Sequence, residues 1–512
     1  MRTGDTPVRA KAVELERLAE ILREHRERGE TVAQCHGVFD LLHVGHLRHF
    51  QRARERADVL VVTVTPDRFV NKGPGRPAFN EALRCETLAA LDCVDYVAIN
   101  RWPTATEAIR LLRPRFYVKG SEYRKATDDV TGKISEEQEA VESVGGELMF
   151  TDDLVFSSST LLNTHLTPFP DEVRTFLEDF RSQFSFRDVL GWFDRVSRAH
   201  VLLVGETILD EYHYCQTIGK SGKEPILAAR YTHAEKHAGG VLAIANHLAA
   251  FCRKVTLVTQ LGEQDSQEEF VRASLHPAVE AHCLKVKDAP TIVKRRFVES
   301  YPFQKLFEIY VMNDEPGEEA QADLLEALRP RLEDADVVVA ADYGHGMLEG
   351  EAVELLSRQS PFLCLNTQKN AGNHGFNTVS KYPRADFVSI SEGELRLDAR
   401  RKSAPIEGLV DAVARRMHCR SLIVTRGQSG CLCFSPTERP ANVPALTASV
   451  TDRVGAGDAV FAVTSLLSHV GAPLPIVGLC GNSAGAQAVA TVGNRSALDR
   501  VALLKHVQHL LK

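Results

Sequence analysis

Apolar positions change their period several times along the first 120 residues. From about Pro7 to Arg28 they fall at helical spacing (Val13, Leu15, Leu18, Ile21, Leu22) among many charges, which predicts an amphipathic helix over 7–28. Thr31–Cys35 reads as a strand, followed by a glycine-containing loop and a helix over His46–Arg56. Leu60–Thr65 is an unbroken apolar run, as a strand covered on both faces requires. A helix over Ala82–Leu91, a strand at Tyr96–Ile99, a helix over Ala105–Leu112 and a strand at Phe116–Val118 follow. Strands alternating with helices at this spacing predict a doubly wound parallel α/β sheet.

Prolines and small residues interrupt the pattern over Thr164–Pro170, and a polar helix over Asp171–Phe184 follows, the expected connector. A second α/β series begins at His200, with strands expected at Val201–Val204, Val255–Thr259, Val337–Ala340, Phe362–Leu365, Phe387–Ile390 and Leu422–Thr425. Between Tyr212 and Tyr231, and again between Thr291 and Val311, the pattern alternates, which predicts an antiparallel appendage. The expected division is a first domain over 1–165, connector helices over 166–198 and a second, different α/β domain over 199–512.

Composition narrows the class. The 512 residues suit two or three domains. A content of 44% apolar and 25% charged residues excludes a disordered chain. With 61 basic against 68 acidic residues, the formal charge of −7 does not favour nucleic acid as the main partner. The N-terminus has no apolar core of a signal peptide, and the weakly charged stretch Val454–Gly493 holds Asp458, His469 and two prolines, so buried helices and turns are expected there rather than a membrane span. Eleven cysteines are scattered without a ligand framework, and the spacing of Cys431 and Cys433 suits the two faces of a strand better than a metal. Free cysteines favour a reducing compartment, the cytosol.

Two constellations carry chemistry. The loop after the first strand reads His36-Gly37-Val38-Phe39-Asp40-Leu41-Leu42-His43-Val44-Gly45-His46. A strand feeding a helix N-terminus presents unpaired N–H groups to an anion. His43 and His46 lie three apart on that turn, Gly45 lets the backbone approach, and two imidazoles donating to an α-phosphate stabilise the charge that develops when another phosphate attacks it. The second string is Thr451-Asp452-Arg453-Val454-Gly455-Ala456-Gly457-Asp458, before a long apolar helix. Glycines at a helix start form an anion hole, and Asp458 can accept the proton of an attacking hydroxyl. An ordinary carboxylate, with a pKa of about 4, is a weak base that suffices if the proton leaves late.

The first string resembles the cytidylyltransferase-like nucleotidyltransferases, and more closely the adenylyltransferase half of the bifunctional enzymes of ADP-heptose synthesis. Lys72-Gly73 with Arg76-Pro77 and Arg84, Asp95-Tyr96, the run Val118-Lys119-Gly120-Ser121-Glu122-Tyr123 and Ser158-Ser159-Thr160 extend the likeness over about Thr31–Asn163. It implies phosphate or nucleotide binding by Phe39, Asp40, His43, Gly45, His46, Lys72, Ser159 and Thr160, and places Lys119 near the acceptor phosphate.

The second string resembles the PfkB/ribokinase family of sugar kinases, together with Val204-Gly205-Glu206 through Tyr212, Gly239-Gly240, Thr425-Arg426-Gly427 and Asn482. This likeness implies Asp458 as base, Gly455, Ala456 and Gly457 as anion hole, Asp210, Gly239 and Gly240 against sugar, Thr425, Gly427 and Asn482 near the nucleotide, and Glu394 linked to Mg2+. It departs where Ala243 and Ser391 each stand for Asn, and where Thr367-Gln368-Lys369 replaces Asp-Pro-Lys before the Asn-rich run Asn370–Asn377. That run is either a supplier of sugar contacts or a polar surface loop.

The implied whole is a Rossmann-like nucleotidyltransferase followed by a ribokinase-like αβα kinase with a small β lid, using ATP (or CTP) and Mg2+. Its partners are a sugar phosphate and a nucleotide, with no membrane and no nucleic acid, and a homodimer is a family expectation. The familiar fusion has its kinase half first; here the order is reversed. The altered sugar shell leaves two alternatives open, a different sugar or a weakened kinase, alongside a cytidylyltransferase for another phosphate acceptor.

Overall fold

In the computed structural model, which describes residues 11–70, 76–120, 133–151, 170–313, 317–373, 375–447 and 450–511, the apolar runs of the first domain become neighbouring strands of one sheet. These are β1 (Val32–Gly37), β2 (Val59–Val64), β3 (Tyr96–Ile99), β4 (Phe116–Gly120) and β5 (Glu147–Thr151). They pair in parallel in the order β3-β2-β1-β4-β5. β2 is buried at every position, which is why its sequence shows no alternation. Strand order reverses direction at β1 and β4, so the crevice at their carboxyl ends is where such a sheet receives a ligand.

The helix expected over 7–28 is Leu15–Glu27. Residues 1–10 lie outside the described residues, and just before the helix the backbone is taken by the sheet: Ala12 bridges Val97 and the Val13 N–H donates to the Val97 carbonyl at 3.0 Å. The helix then buries Leu15, Leu18 and Leu22 beside Val32, Val59 and Leu112. Each such leucine contributes about 1.5–3 kcal/mol.

The chain divides into two units, Met1–Pro170 with Leu504–Lys512, and Asp171–Leu503. The helices Asp171–Gln183 and Phe186–Val196 fall within the second. Ser185 and Asp188 close a capping box at the start of the latter, whose Phe193 packs on Phe251 with ring centroids 5.6 Å apart.

The strands of the second unit are β6 (His200–Gly205), β7 (Thr207–Lys220), β8 (Leu227–Gly240), β9 (Lys254–Gln264), β10 (Val279–Pro290), β11 (Ile292–Glu299), β12 (Gln304–Val311), β13 (Val337–Asp342), β14 (Leu363–Thr367), β15 (Phe387–Ser391), β16 (Ser421–Thr425), β17 (Cys431–Ser435) and β18 (Glu438–Val443). Nine form one sheet, β10-β9-β6-β13-β14-β15-β16-β17-β18, parallel as far as β16 and antiparallel beyond it. The other four form a separate sheet, β12-β11-β7-β8. The expected appendage is therefore present but mixed: β7–β8 and β11–β12 are antiparallel hairpins, and β11 joins β7 in parallel. Alternation reports one covered face per strand and is blind to strand direction.

Cys431 and Cys433 do not sit on two faces of β17. Side chains two apart on a strand share a face, and their sulfurs are 4.0 Å apart. Val454–Gly493 contains the buried helices Ala456–His469 and Leu474–Ala488. No helix among the described residues is long and apolar enough to cross a membrane.

Candidate functional site

In the first domain, β1 ends at Gly37 and the helix Val44–Glu55 begins immediately after His43. His43 is its N-cap and accepts from the Gly45 N–H through Nδ1 at 3.1 Å. That bond assigns the ring proton to Nε2, which is then a donor. The His43 and His46 rings lie stacked with centroids 3.8 Å apart. Phe39, at φ +50°, turns its ring against His46 and Phe50.

Asp40 is fully buried in this turn and is occupied by protein. One oxygen accepts the Ala78 and Phe79 N–H groups at 2.7 and 3.1 Å, and the other pairs with Arg76 at 2.6 Å. Arg84, 2% exposed, donates to the carbonyls of Val38, Thr65 and Phe79 and to Asp67. It thereby ties the loop after β1 to the loop after β2. Lys119, at the end of β4, pairs with Glu137 at 2.8 Å. Lys72, Ser159 and Thr160 lie outside the described residues.

In the second unit the carboxyl ends of β13, β14, β15 and β16 meet the N-terminus of the helix Ala456–His469 around a cavity of about 270 Å³. Asp210, Gly240, Glu394, Thr425, Gly455, Gly457 and Asp458 all line it. Gly455 caps the helix at φ +81°, a conformation glycine takes without strain, and no side chain caps the first turn. The Ala456 N–H reaches only the Arg453 carbonyl, at 3.5 Å, and the Gly457 N–H beside it lies on the cavity lining, where an anion would be received.

Asp458 is buried and accepts from the Tyr343 hydroxyl at 3.0 Å and the Gln368 amide at 2.9 Å, both on Oδ1. Burial pushes its carboxyl up to about 6, although those two donors and Lys294 oppose the rise. The Asp458 carboxyl thus differs from the carboxylate of ordinary strength expected from sequence and would accept a proton more readily near neutral pH. Asp210 pairs with Arg296 and receives the Asn494 amide at 3.4 Å. A Cβ on Gly239 would stand 2.2 Å from the Asp210 carboxylate, so the first glycine of the pair is a space requirement.

The departures have local explanations. Ser391 caps the helix Glu392–Asp398: its hydroxyl accepts the Glu394 N–H at 3.3 Å, and Glu394 returns a bond to the Ser391 N–H at 2.8 Å. A serine serves this capping box as well as asparagine would. Ala243 is buried in the helix Val241–Ala249, outside the cavity lining. Asn482 donates to the carbonyls of Val443 and Pro444 at 3.0 and 2.9 Å. Gly427 opens the short turn after β16, also outside that lining.

Two groups that the sequence did not single out matter most. Tyr343 follows β13 and its hydroxyl donates to Asp458. Lys294 lies on β11, 8% exposed, lining the cavity with no hydrogen bond or ion pair among the described residues. Burial lowers its pKa while Asp210 works the other way. Its signal in sequence was the alternation Lys294-Arg295-Arg296, which puts two cations on one face of a lid strand.

A family model for the pfkB family carbohydrate kinases matches residues 198–500, more than half of the chain, and one described as cytidylyltransferase-like matches residues 35–164. Among curated relatives, a Bifunctional protein HldE of Syntrophotalea carbinolica is 43% identical over 147 residues, 28% of each chain. Another of that name, from Shewanella amazonensis, is 27% identical over 311 residues, 60% of this chain and 63% of the relative. The matches to these two relatives therefore span from about a quarter to under two thirds of their lengths. Among solved structures, phosphofructokinase-2 from Escherichia coli in complex with potassium superposes with a TM-score of 0.49 at 16% identity, over 62% of this chain and 100% of that one.

Proposed function

We propose, from the premise that the chain belongs to the pfkB family of carbohydrate kinases, that it is a two-reaction enzyme of nucleotide-sugar synthesis. The second domain, residues 199–512, moves the γ-phosphate of ATP to a hydroxyl of a sugar phosphate. The first domain, residues 1–165, joins a sugar 1-phosphate to the nucleoside monophosphate part of ATP (or CTP) and releases pyrophosphate. A heptose is the sugar that the resemblance to the enzymes of ADP-heptose synthesis implies.

The observation that carries the kinase reading is Asp458. It stands at the mouth of an uncapped helix N-terminus, with Oδ1 held by two donors and Oδ2 without a protein partner among the described residues. Oδ2 takes the proton of the attacking hydroxyl while the first-turn N–H groups receive the phosphoryl oxygens. Lys294 supports a phosphorylated acceptor, because a buried ammonium that makes no ion pair among the described residues gains from an anionic substrate group.

Glu394 fits a Mg2+ role. It lines the cavity, and each carboxylate oxygen accepts one backbone N–H, from Ser391 at 2.8 Å and Lys369 at 3.1 Å, so further lone pairs remain. Among the described residues no cluster of three or more His, Cys, Asp or Glu side chains is arranged to hold a metal. That agrees with an ion that keeps its waters and is held by one carboxylate and the substrate phosphates. When bound, it neutralises charge on the transferring phosphates.

In the first domain the His43 Nε2–H and His46 face an α-phosphate at the crevice beyond β1 and β4. Arg84 and Asp40 hold the loops that carry them. A cytosolic location and a homodimer complete the reading; the exposed Ile218, Tyr231 and Phe307 of the four-stranded sheet suit the latter. The test is product identification by mass spectrometry with heptose 7-phosphate plus ATP, and separately with heptose 1-phosphate plus ATP or CTP. A kinase product with the first and pyrophosphate with the second are expected; neither product would overturn the reading.

A further inference from the structure

Among the described residues, the Asn-rich run after β14 supplies no side chain to the cavity lining, and its Asn373 and Asn377 are not loose at the surface. Asn373 and Asn377 are 8% and 5% exposed. Their amide groups converge on the backbone that carries the two donors to Asp458. Asn373 donates to the carbonyls of Tyr343 at 3.0 Å and Gln368 at 3.2 Å. Asn377 donates to the carbonyls of Asp342 at 3.0 Å and Gln368 at 3.3 Å. Asn370 adds a second amide on the Tyr343 carbonyl at 2.8 Å and holds the Asn373 N–H at 2.9 Å.

The opposite side of the loop is held as well. Glu206 accepts the N–H groups of Tyr343 and His345, each at 3.0 Å. Gly344 sits between these clamps at φ +71°, and a Cβ there would lie 2.2 Å from the Asn373 amide nitrogen. The segments after β13 and β14 are neighbours, joined by the Gln368 N–H on the Asp342 carbonyl at 2.9 Å. The backbone that carries the Tyr343 and Gln368 side chains is therefore held on one side by asparagine amides and on the other by Glu206.

We propose that Asn373 and Asn377 are positioning residues of the phosphoryl-transfer site: they lock the Asp342–Tyr343 and Gln368 backbone so that the Tyr343 hydroxyl and Gln368 amide stay on Asp458. The proposal rests on the kinase reading for its meaning but not for its measurement. A donor bonded to the ionised carboxylate favours that form. Loosening the brace therefore raises the carboxyl's titration point, and the acid limb of the kinase moves to higher pH with it.

The test uses the full chain labelled with carboxyl-13C aspartate, the Asp458 resonance being assigned by Asp458→Asn. Titration compares wild type, Gln368→Met, Asn373→Ala, Asn377→Ala and the double variant Gln368→Met/Asn373→Ala. Gln368→Met and Asn373→Ala are each expected to raise the Asp458 midpoint by about one unit, a tenfold change in its proton affinity. The double variant is expected to move it further than Gln368→Met alone but by less than the sum of the two single shifts, because Asn373 also braces the Tyr343 carbonyl while the Gln368 bond is lost only once. Asn373→Ser, which keeps a donor at a shorter reach, is expected to recover part of the shift.

An Asn373→Ala midpoint equal to wild type in a folded protein overturns the proposal, as does an additive double variant. If Asn373→Ala fails to fold, Asn377→Ala and Asn373→Ser carry the same two readings. The pH dependence of kcat with heptose 7-phosphate is recorded in parallel and should shift by the same amount. A shifted carbon titration without any kinase turnover would leave the brace standing and remove the kinase reading instead.

Discussion

Replacing Lys305 with methionine is expected to loosen the loop that forms the anion hole, although Lys305 lies on the lid strand β12. Asp452 joins the two. One of its oxygens accepts the Lys305 ammonium at 2.5 Å and the Val454 N–H at 3.2 Å; the other accepts the Tyr212 hydroxyl at 2.8 Å and the Gly493 N–H at 3.1 Å. Burial alone would raise this carboxyl, and Lys305 and Tyr212 overcome that and hold it below the ordinary carboxylate range. A hydrogen bond to a charged group contributes about 1.5–3 kcal/mol. The Lys305 side chain is 35% exposed, so solvent screening lowers its share to about 1–2 kcal/mol. That is a factor of about 5–30 in the opening equilibrium of the loop. Three donors remain on Asp452, and methionine keeps the aliphatic stem, so the fold should survive. Amide hydrogen exchange followed by mass spectrometry on the full chain reads the effect: peptides covering residues 452–458 should exchange about 5–30 times faster in Lys305→Met, while peptides from β13 stay unchanged. Exchange over 452–458 within twofold of wild type would refute the coupling.

Three further outcomes follow from the same geometry. The kinase base works ionised, and burial sets its titration at about 6, so kcat/KM should fall tenfold per pH unit below that point and level off above it; a limb near pH 4 would contradict the burial argument. Lys294→Met should raise KM for a phosphorylated sugar by about 10–100-fold, the loss of one charge-assisted bond, and leave KM for ATP unchanged; equal losses for both substrates would place Lys294 elsewhere in the reaction. Arg84→Met strips donors from three carbonyls and from Asp67, and should lower the stability of the first domain by about 3–5 kcal/mol. Calorimetry should show one transition moving down while kinase turnover persists.

Much of the fold was legible because both parallel sheets are built from strands covered on both faces, whose apolar runs (Leu60–Thr65, Val337–Ala340) stand out without an alignment. The anion-binding turns were legible because each lies within one short segment: His43 and His46 on one helix start, Gly455 to Asp458 on another. What escaped was assembled from separate strand ends. Tyr343 and Gln368 meet on Asp458 only because β13 and β14 are neighbours in register, which no local pattern encodes. Lys294 was visible only as one polar position of an alternating strand, and its burial beside the cavity is a property of the packed lid. The sequence leaves Asn373 and Asn377 open between sugar contacts and a polar surface loop, because an amide's partners, here three backbone carbonyls, leave no mark in sequence.

The claim that one chain carries two separate phosphate chemistries is tested most directly by 31P NMR of two incubations with three proteins: wild type, Asp458→Asn and His46→Ala. With heptose 7-phosphate and ATP, wild type and His46→Ala should form ADP and a bisphosphorylated sugar, and Asp458→Asn should not. With heptose 1-phosphate and ATP, wild type and Asp458→Asn should release pyrophosphate, and His46→Ala should not. Loss of both reactions in either variant, or retention of both in either, would contradict the account.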